Sequence, residues 1–488
     1  MSIDLSLDRI KNLLSHLPTY TRPTIHIAGT NGKGSVSSIV SSILSASSIA
    51  VGRFNSPHLV SVRDSIVVNG KSVSSEAYTH ALELVERADA DHRVGASSFE
   101  LLTATALLIF EHAALEVVVL EVGMGGRLDA TNVIADACVL VSALTAVDLD
   151  HQAFLGDTVR AIATEKAGIA RRGKPFVLGP QKYPDVVQAV REATARAGAD
   201  LIIAPAVLKH VSDDSNARRA LSFSPDVFQR PPAQPVLLAM AGFAEPVRVD
   251  LPLYGEHQLD NLAVAASVVD ALHTHRSCAP RLSFPSRITP DTVAEGVKNT
   301  RWPGRLSFHD LPGSLDVEPR ASRRRTVVLA DGAHNPASSS TLASYISYLL
   351  ARTIDRKVHL TFILGLSHSP PKTPAQTLTP LFSFERPANV EVDVSVAVLR
   401  FTPVDGMPWV RSVPPSELKA TVTSLVPGVD LWSRPDEEDP MSGHVQQALQ
   451  WAQEKHADGR NEGASLLILA GSLYLVADFY RWLQSENQ

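Results

Sequence analysis

His26-Ile27-Ala28-Gly29-Thr30-Asn31-Gly32-Lys33-Gly34-Ser35 is the stretch on which the fold turns. A short apolar stub runs into three glycines set around one lysine and a serine. Glycines let backbone N–H groups approach phosphate oxygens, lysine adds a point charge, and the start of a following helix favours the anion. The next residues supply that helix: Val36, Ile39, Val40, Ile43 and Leu44 recur at i, i+3, i+4, i+7 and i+8. The common phosphate-loop pattern asks for glycine six residues before the lysine, and position 27 is Ile, so this is a shorter variant. A plain tight turn is the bland alternative. Lys33 and Ser35 at this spacing favour nucleotide binding.

Working outward, residues 25–28 read as a strand, 35–48 as a helix and 50–54 as the next strand. Helices are expected over 74–90 and 98–113. Residues 115–122 and 137–144 are short continuous apolar runs, the pattern of buried parallel strands. Helical patterns at 157–170 and 184–198 flank a strand at 175–178. Strands alternating with helices predict a doubly wound α/β domain, whose ligands sit at the carboxyl ends of the strands. Residues 205–250 hold several prolines and read as short strands and loops, and a helix resumes over 257–272. Trp302-Pro303-Gly304-Arg305 reads as a hinge. After it, residues 326–330 begin a second α/β series, with apolar runs at 359–364, 391–398 and 465–470. Two domains are expected, 1–304 and a smaller Rossmann-like 305–488. Segment 367–380, with its four prolines, reads as a loop. No internal repeat is evident.

At 488 residues the chain is too long for one ordinary domain. It is 44% hydrophobic and 20% charged, a globular composition. A net charge of −6 argues against nucleic acid as a partner. The dense basic run Arg323-Arg324-Arg325 reads as a solvated loop. Cys138 and Cys278 make neither a disulfide framework nor a metal quartet. No apolar stretch reaches membrane-spanning length. Asp4, Asp8 and an amphipathic pattern argue against a cleaved presequence. A reducing, cytoplasmic setting is the expectation, with a mitochondrial pool left open.

The chemistry-bearing residues follow the ends of successive strands. Glu121 closes a buried run and leads into Val122-Gly123-Met124-Gly125-Gly126. A strand-end carboxylate beside a phosphate loop suits Mg²⁺, and the glycines permit close backbone approach. Ser56-Pro57-His58 and Asp148-Leu149-Asp150-His151 follow two other strands. Ser56 offers a hydroxyl oxygen, against a turn or cap as the plain reading. His151 is a metal or phosphate neighbour, although a lone histidine is more often structural. Lys166 reads from composition as a surface or helix-end residue. Asp331-Gly332-Ala333-His334-Asn335-Pro336 follows the first strand of the second series, where a turn starting a helix is the alternative.

Together these motifs resemble the folylpolyglutamate synthase/dihydrofolate synthase family, within the Mur ligase superfamily. The resemblance rests on His26–Ser35, Phe54–Leu59 (FNSPHL), Leu120–Asn132 (LEVGMGGRLDATN) and Asp150–Ile169 (DHQAFLGDTVRAIATEKAGI). It continues through Gly255–Asn261 (GEHQLDN), Trp302–Arg305 (WPGR), Asp331–Asn335 (DGAHN) and Gly471–Leu475 (GSLYL), in family order. Three stretches are closer to fungal members of the dihydrofolate-forming branch: Gly52–Leu59, Ser98–Thr103, and Arg400-Phe401 with Val404–Trp409.

The resemblance implies a Mur-ligase-like ATPase domain followed by a glutamate-ligase domain. By position, Asn31, Gly32, Lys33, Gly34 and Ser35 would hold ATP phosphates, with Asn261, Arg305 and Asp331 also touching nucleotide. Ser56, Glu121 and His151 match Mg²⁺ ligands. Lys166 matches a lysine carbamylated in the family, which would replace a repelling ammonium with anionic oxygens. Ser97, Ser98, Phe99, Glu100, Leu128, Asp129 and Ala130 match pterin positions. His334 and Ser472 match positions near the glutamate, and His334 is a candidate base. The implied reaction joins L-glutamate to 7,8-dihydropteroate through an acyl phosphate, in a monomer that closes about the Arg305 segment. Three alternatives stay open: addition of glutamate to tetrahydrofolate, a non-catalytic ATP-binding regulator, and a phosphate-loop kinase.

Overall fold

The computed structural model describes residues 6–210, 221–224, 227–280, 282–311, 326–403, 410–437, 444–457 and 464–486. The basic run at 323–325 and the stretch Val404–Trp409 lie outside the described residues. The chain divides into two compact units. The first comprises Met1–Ser212 and Ala233–Trp302, the second Asp213–Pro232 and Pro303–Gln488.

The first unit is built on strands β1 (Thr24–Ala28), β2 (Val51–Phe54), β3 (Ile66–Val68), β4 (Lys71–Ser72), β5 (Val117–Glu121), β6 (Val139–Leu144), β7 (Pro175–Leu178) and β8 (Asp200–Ile203). They form one eight-stranded sheet in the order β4-β3-β2-β5-β1-β6-β7-β8. From β2 to β8 neighbouring strands run parallel, while β3 and β4 continue one edge antiparallel. The chain builds β2 and β5 on one side of β1 and then crosses to β6 on the other. That reversal opens a crevice at the carboxyl end of β1, the place where such sheets bind ligands. β1, β5 and β6 are buried along their full length, as continuous apolar runs in a covered parallel sheet must be. The helix Lys33–Ala46 packs Val36, Ile39, Val40, Ile43 and Leu44 into the same core as β1 and β5. Each such side chain is worth about 2 kcal/mol gross on burial. Strands β9 (Leu208–Lys209), β10 (Gln234–Leu238) and β11 (Val247–Leu251) make a small antiparallel sheet.

The second unit holds β12 (Ser307–Leu311), β13 (Thr326–Ala330), β14 (Lys357–Leu364), β15 (Glu391–Val398), β16 (Asp430–Ser433) and β17 (Ala464–Ala470). Their order is β12-β13-β17-β14-β15-β16, parallel except for β12. β17 is inserted last, between β13 and β14, so Asp331, Gly365 and Gly471 stand after three adjacent strands.

Two expectations need correction. A stretch inside 1–304 goes with the second unit: residues 213–232. There Leu221 bridges Thr353, Phe223 is fully buried, and Asp355 accepts from Phe223 N at 2.7 Å and Ser222 Oγ at 2.9 Å. Segment 367–380 is not all loop, because Pro374–Phe382 is a helix. Its prolines misled: Pro374 sits at the first helical turn, where no N–H is needed, and Thr373 and Gln376 form a capping box. Both cysteines are buried and neither is in a disulfide. Among the described residues no helix is long and apolar enough to cross a membrane.

Candidate active site

The loop after β1 needs its glycines for two physical reasons. Gly29 and Gly32 have φ of 152° and 95°, backbone conformations that a side chain rarely adopts. Neighbours also crowd them: a Cβ on Gly29 would lie 1.8 Å from Thr145 Oγ1, and one on Gly32 2.1 Å from Asn261 Oδ1. The loop is tied down from the β6 side. Thr30 N and Asn31 N donate to Ala146 O at 2.9 and 3.2 Å, and Thr145 Oγ1 donates to Asn31 O at 2.7 Å. Gly32 caps the helix Lys33–Ala46 with no side-chain hydrogen bond. The helix start is therefore left to an outside acceptor, as an anion site requires.

Two lysines converge on this loop. Lys33 Nζ donates to Gly29 O at 3.1 Å and Thr30 O at 3.3 Å, and stands 3.8 Å from Glu121 Oε1. Lys166, near the end of the helix Val159–Ala167, is buried and donates to the same Gly29 O at 2.9 Å. Burial, with Lys33 close by, pushes the Lys166 amine down to about 7. Composition alone read Lys166 as a surface or helix-end residue: it is at a helix end, but it is buried. The structure places it beneath the phosphate loop.

Glu121 ends β5 opposite Ile27 of β1 and is buried. Its Oε2 accepts from Asn55 Nδ2 at 2.6 Å, and Asn55 Nδ2 also reaches Ser37 Oγ at 2.7 Å. Next to Asn55, the Ser56 hydroxyl is buried without a hydrogen-bond partner. An orphaned hydroxyl one residue from a carboxylate's partner fits a cation site for hard oxygen ligands. Among the described residues no three His, Cys, Asp or Glu side chains gather as a metal site. His151 is exposed and heads the short helix Gln152–Leu155. Its loop leaves the phosphate loop by way of Asp148, which exchanges bonds with Thr30 at 3.1 and 3.2 Å.

Asn261 stands against Gly32 as described. Its amide donates to Gln258 Oε1 at 2.9 Å, and Gln258 Nε2 donates to Ser35 Oγ at 3.2 Å. Asn55, Gln258 and Thr145 thus belong to the site although no role was read for them. Asn55 and Gln258 lie inside the quoted FNSPHL and GEHQLDN motifs, one position from a recognised residue or one helical turn before it.

The expected pterin residues are divided. Ser97 and Glu100 satisfy each other as a capping box for the helix Ser98–His112, with Arg9 Nε on Glu100 Oε2 at 3.1 Å. Ser98 is exposed on the first turn of that helix. Phe99 packs on the glycine loop, where a Cβ on Gly123 would meet its ring at 2.3 Å. Asp129 is occupied by its own loop: it accepts from Met124 N at 2.7 Å, Thr131 N at 3.0 Å and Thr131 Oγ1 at 2.5 Å. Burial raises its pKa. Ala130 is buried beside it, while Leu128 lines a cavity with Met124, Arg127, Phe154, Leu155 and Glu165.

In the second unit, Asp331 is buried after β13 and accepts from Leu306 N at 2.8 Å. Burial raises its pKa, and the Arg305 charge opposes the shift. Arg305 lies so close to Gly332 that a Cβ there would be 2.8 Å from Nη1. His334 is exposed, and its Nδ1 pairs with Gly332 O at 2.9 Å. A carbonyl only accepts, so Nδ1 carries the proton and Nε2 is the basic nitrogen. Lys372 Nζ holds His334 O at 2.8 Å. Ser472 is buried at the start of the helix Leu473–Glu486, 3.3 Å from Ser367 Oγ.

A capless helix behind a lysine-bearing glycine loop, flanked by a strand-end carboxylate, defines a nucleotide-using α/β enzyme. Known proteins narrow that class. A family model described as dihydrofolate synthetase, C-terminal domain, matches residues 314–482. A dihydrofolate synthetase of Saccharomyces cerevisiae is 34% identical over 422 residues, 86% of each chain. A probable dihydrofolate synthetase of Schizosaccharomyces pombe is 31% identical over 488 residues, 100% of each chain. The solved Mycobacterium tuberculosis folylpolyglutamate synthase complexed with ADP and AMPPCP superposes with a TM-score of 0.73 at 28% identity, covering 98% of this chain and 95% of that one. The chain belongs to the dihydrofolate synthase/folylpolyglutamate synthase family of ATP-dependent, amide-forming ligases.

Proposed function

We propose that this protein is a dihydrofolate synthase, joining L-glutamate to 7,8-dihydropteroate with hydrolysis of ATP to ADP and phosphate. The observation that carries the reading is the meeting of Lys33 and Lys166 on Gly29 O, with Glu121 beside Lys33. Two likenesses to yeast dihydrofolate synthetases support the choice of acceptor.

A benzoate-type carboxylate is a poor electrophile. Transfer of the γ-phosphoryl group to its oxygen makes an acyl phosphate and releases ADP. The glutamate α-amine then attacks the acyl carbon, phosphate leaves, and the amine gives up a proton. The Gly29–Gly34 backbone and the helix start bind and orient the phosphates, with Asn261 walling the loop at Gly32. Lys33 offsets charge on the moving phosphoryl group. Ser56 and Glu121, with His151 as third candidate, would hold Mg²⁺, which when bound neutralises phosphate charge. Asn55 holds the Glu121 carboxylate in place. Lys166 is the carbamylation candidate, because an amine pushed down to about 7 is substantially unprotonated at neutral pH and so reactive toward carbon dioxide. Arg305 and Asp331 are assigned to nucleotide, and His334 and Ser472 to glutamate. With Nδ1 protonated, His334 Nε2 is the atom that would take the amine proton. Leu128 and Phe99 remain the pterin contacts of choice, with Asp129, Ala130, Ser97, Ser98 and Glu100 shaping the backbone around them.

The test is phosphate release from Mg-ATP and L-glutamate with 7,8-dihydropteroate or tetrahydrofolate as acceptor. Turnover with dihydropteroate alone is expected. Turnover with tetrahydrofolate alone moves the assignment to folylpolyglutamate synthase, and turnover with both to a bifunctional enzyme. Silence with both, in folded ATP-binding protein, leaves a nucleotide-binding regulator.

A further inference from the structure

Arg53 is out of place by the logic of its strand. It sits in the middle of the sheet on β2, in register with Val67 and Val119. Burial lowers the pKa of its guanidinium to about 10, with the Glu121 charge opposing the shift. Its Nε is buried without an acceptor, and its hydrogen bonds run from Nη1 to two hydroxyls, Ser38 Oγ at 3.0 Å and Ser41 Oγ at 3.4 Å. A charge paid for so poorly by hydrogen bonds is weak evidence for stability, since an apolar side chain there would cost less.

What the guanidinium does is organise its neighbours. It lies 5.1 Å from the ring centre of Trp302, a cation–π contact. The Trp302 indole in turn covers the phosphate loop: a Cβ on Gly34 would lie 2.3 Å from its Cζ2. A second route runs through Ser38, whose hydroxyl accepts from Arg53 and donates to Arg301 O at 2.9 Å. Both routes end on residues 301–302, and both pass along the helix that begins at Lys33.

We propose that Arg53 is a positioning residue for the nucleotide, propping the Trp302 indole against Gly34 and fixing the phosphate-loop helix through Ser38 and Ser41. The inference rests on the reading that this loop binds ATP. The guanidinium is needed for its plane as well as its charge, because a lysine ammonium cannot both stack on an indole and reach two hydroxyls.

A double-mutant cycle over Arg53→Met and Trp302→Leu tests it, with Arg53→Lys alongside. Affinity for the magnesium complex of a non-hydrolysable ATP analogue is measured by calorimetry, KM for each substrate by turnover, and folding by urea midpoint. Each single change is expected to weaken the analogue about 10-fold, between the sizes of an exposed and a fully desolvated cation–π contact. KM for dihydropteroate should stay within about twofold, Arg53→Lys should not restore affinity, and the double variant should be no worse than either single. Analogue affinity within about twofold of wild type in a folded variant, or strictly additive losses, overturns the proposal. So does a rise in KM for dihydropteroate with analogue affinity intact, which would make Arg53 a substrate contact. Should Arg53→Met not fold, Trp302→Leu, which removes only the propped ring, decides alone. If the wild type binds the analogue but ignores dihydropteroate, the functional assignment fails while the affinity measurements still decide this one.

Discussion

Lys33 and Lys166 share one carbonyl oxygen, yet their surroundings give them different tasks. Lys33 stands 3.8 Å from the Glu121 carboxylate, whereas Lys166 is buried deeply enough to lose its proton near neutrality. Lys33→Ala and Glu121→Ala should each remove most ligase turnover, read as glutamate-dependent phosphate release, while urea midpoints show the variants folded. Lys166→Ala should impair turnover as severely, and small carboxylates in the assay should restore part of it if a carbamate is the working form. Asn55→Ala removes a bond to a buried carboxylate, so a loss of about 2 kcal/mol in stability is expected, together with reduced turnover. These residues were unequally legible. Lys33 announces itself by its glycines and Glu121 by ending an apolar run. Lys166 and Asn55 lie inside quoted motifs but show no chemistry of their own in the sequence, because what defines their roles is a partner 137 or 66 positions away.

The loop between β1 and its helix shows how an element acquires a fixed shape. Thr145 and Asn261 fill the space where side chains on Gly29 and Gly32 would go. Gly32→Ala adds a clash to a disfavoured backbone conformation, and a loss of about 1–3 kcal/mol in stability is expected, with nucleotide affinity falling further than stability does. Pairing Gly32→Ala with Asn261→Ala should recover only the part of the stability lost to the clash, since the strain at φ 95° remains, and should not recover affinity, since one of the candidate nucleotide contacts is then gone. The parallel strands and most helices of the first unit were readable because buried strands are continuous apolar runs and helix stripes repeat every turn. The helix Pro374–Phe382 was not, because proline marks a helix start as readily as a loop, and only the Thr373–Gln376 capping pair separates the two.

For the molecule as a whole, two buried histidines should make the fold sensitive to acid. His26 is fully buried, paired with Thr131 Oγ1 at 2.8 Å, and burial pushes its pKa down to about 3. His309 in the second unit is pushed down to about 4 by burial. The folded chain keeps both neutral while the unfolded chain protonates them below about 6.5, so the unfolded state binds the extra protons. Stability should therefore fall as pH drops from about 6.5 toward 4, by up to about 1.4 kcal/mol per pH unit for each group. His26→Gln should flatten that slope in urea titrations at several pH values. An unchanged slope would mean that His26 is not what acid attacks.

The excursion of residues 213–232 bears on how the gene can be divided. Phe223 and Phe228 are consecutive rings of an aromatic ladder that runs on through Phe308 and Tyr345. A polypeptide beginning at Pro303 would keep the whole second sheet yet lack two rungs of that ladder and the bridge from Leu221 to Thr353. Separately expressed halves split at the sequence hinge should therefore assemble poorly. A permuted second unit, with residues 221–232 grafted onto its N-terminus, should be the soluble version, and comparing the two by expression and by tyrosine fluorescence would show it. Recombination that swapped the C-terminal portion between relatives at that hinge would import a core with its plug left behind.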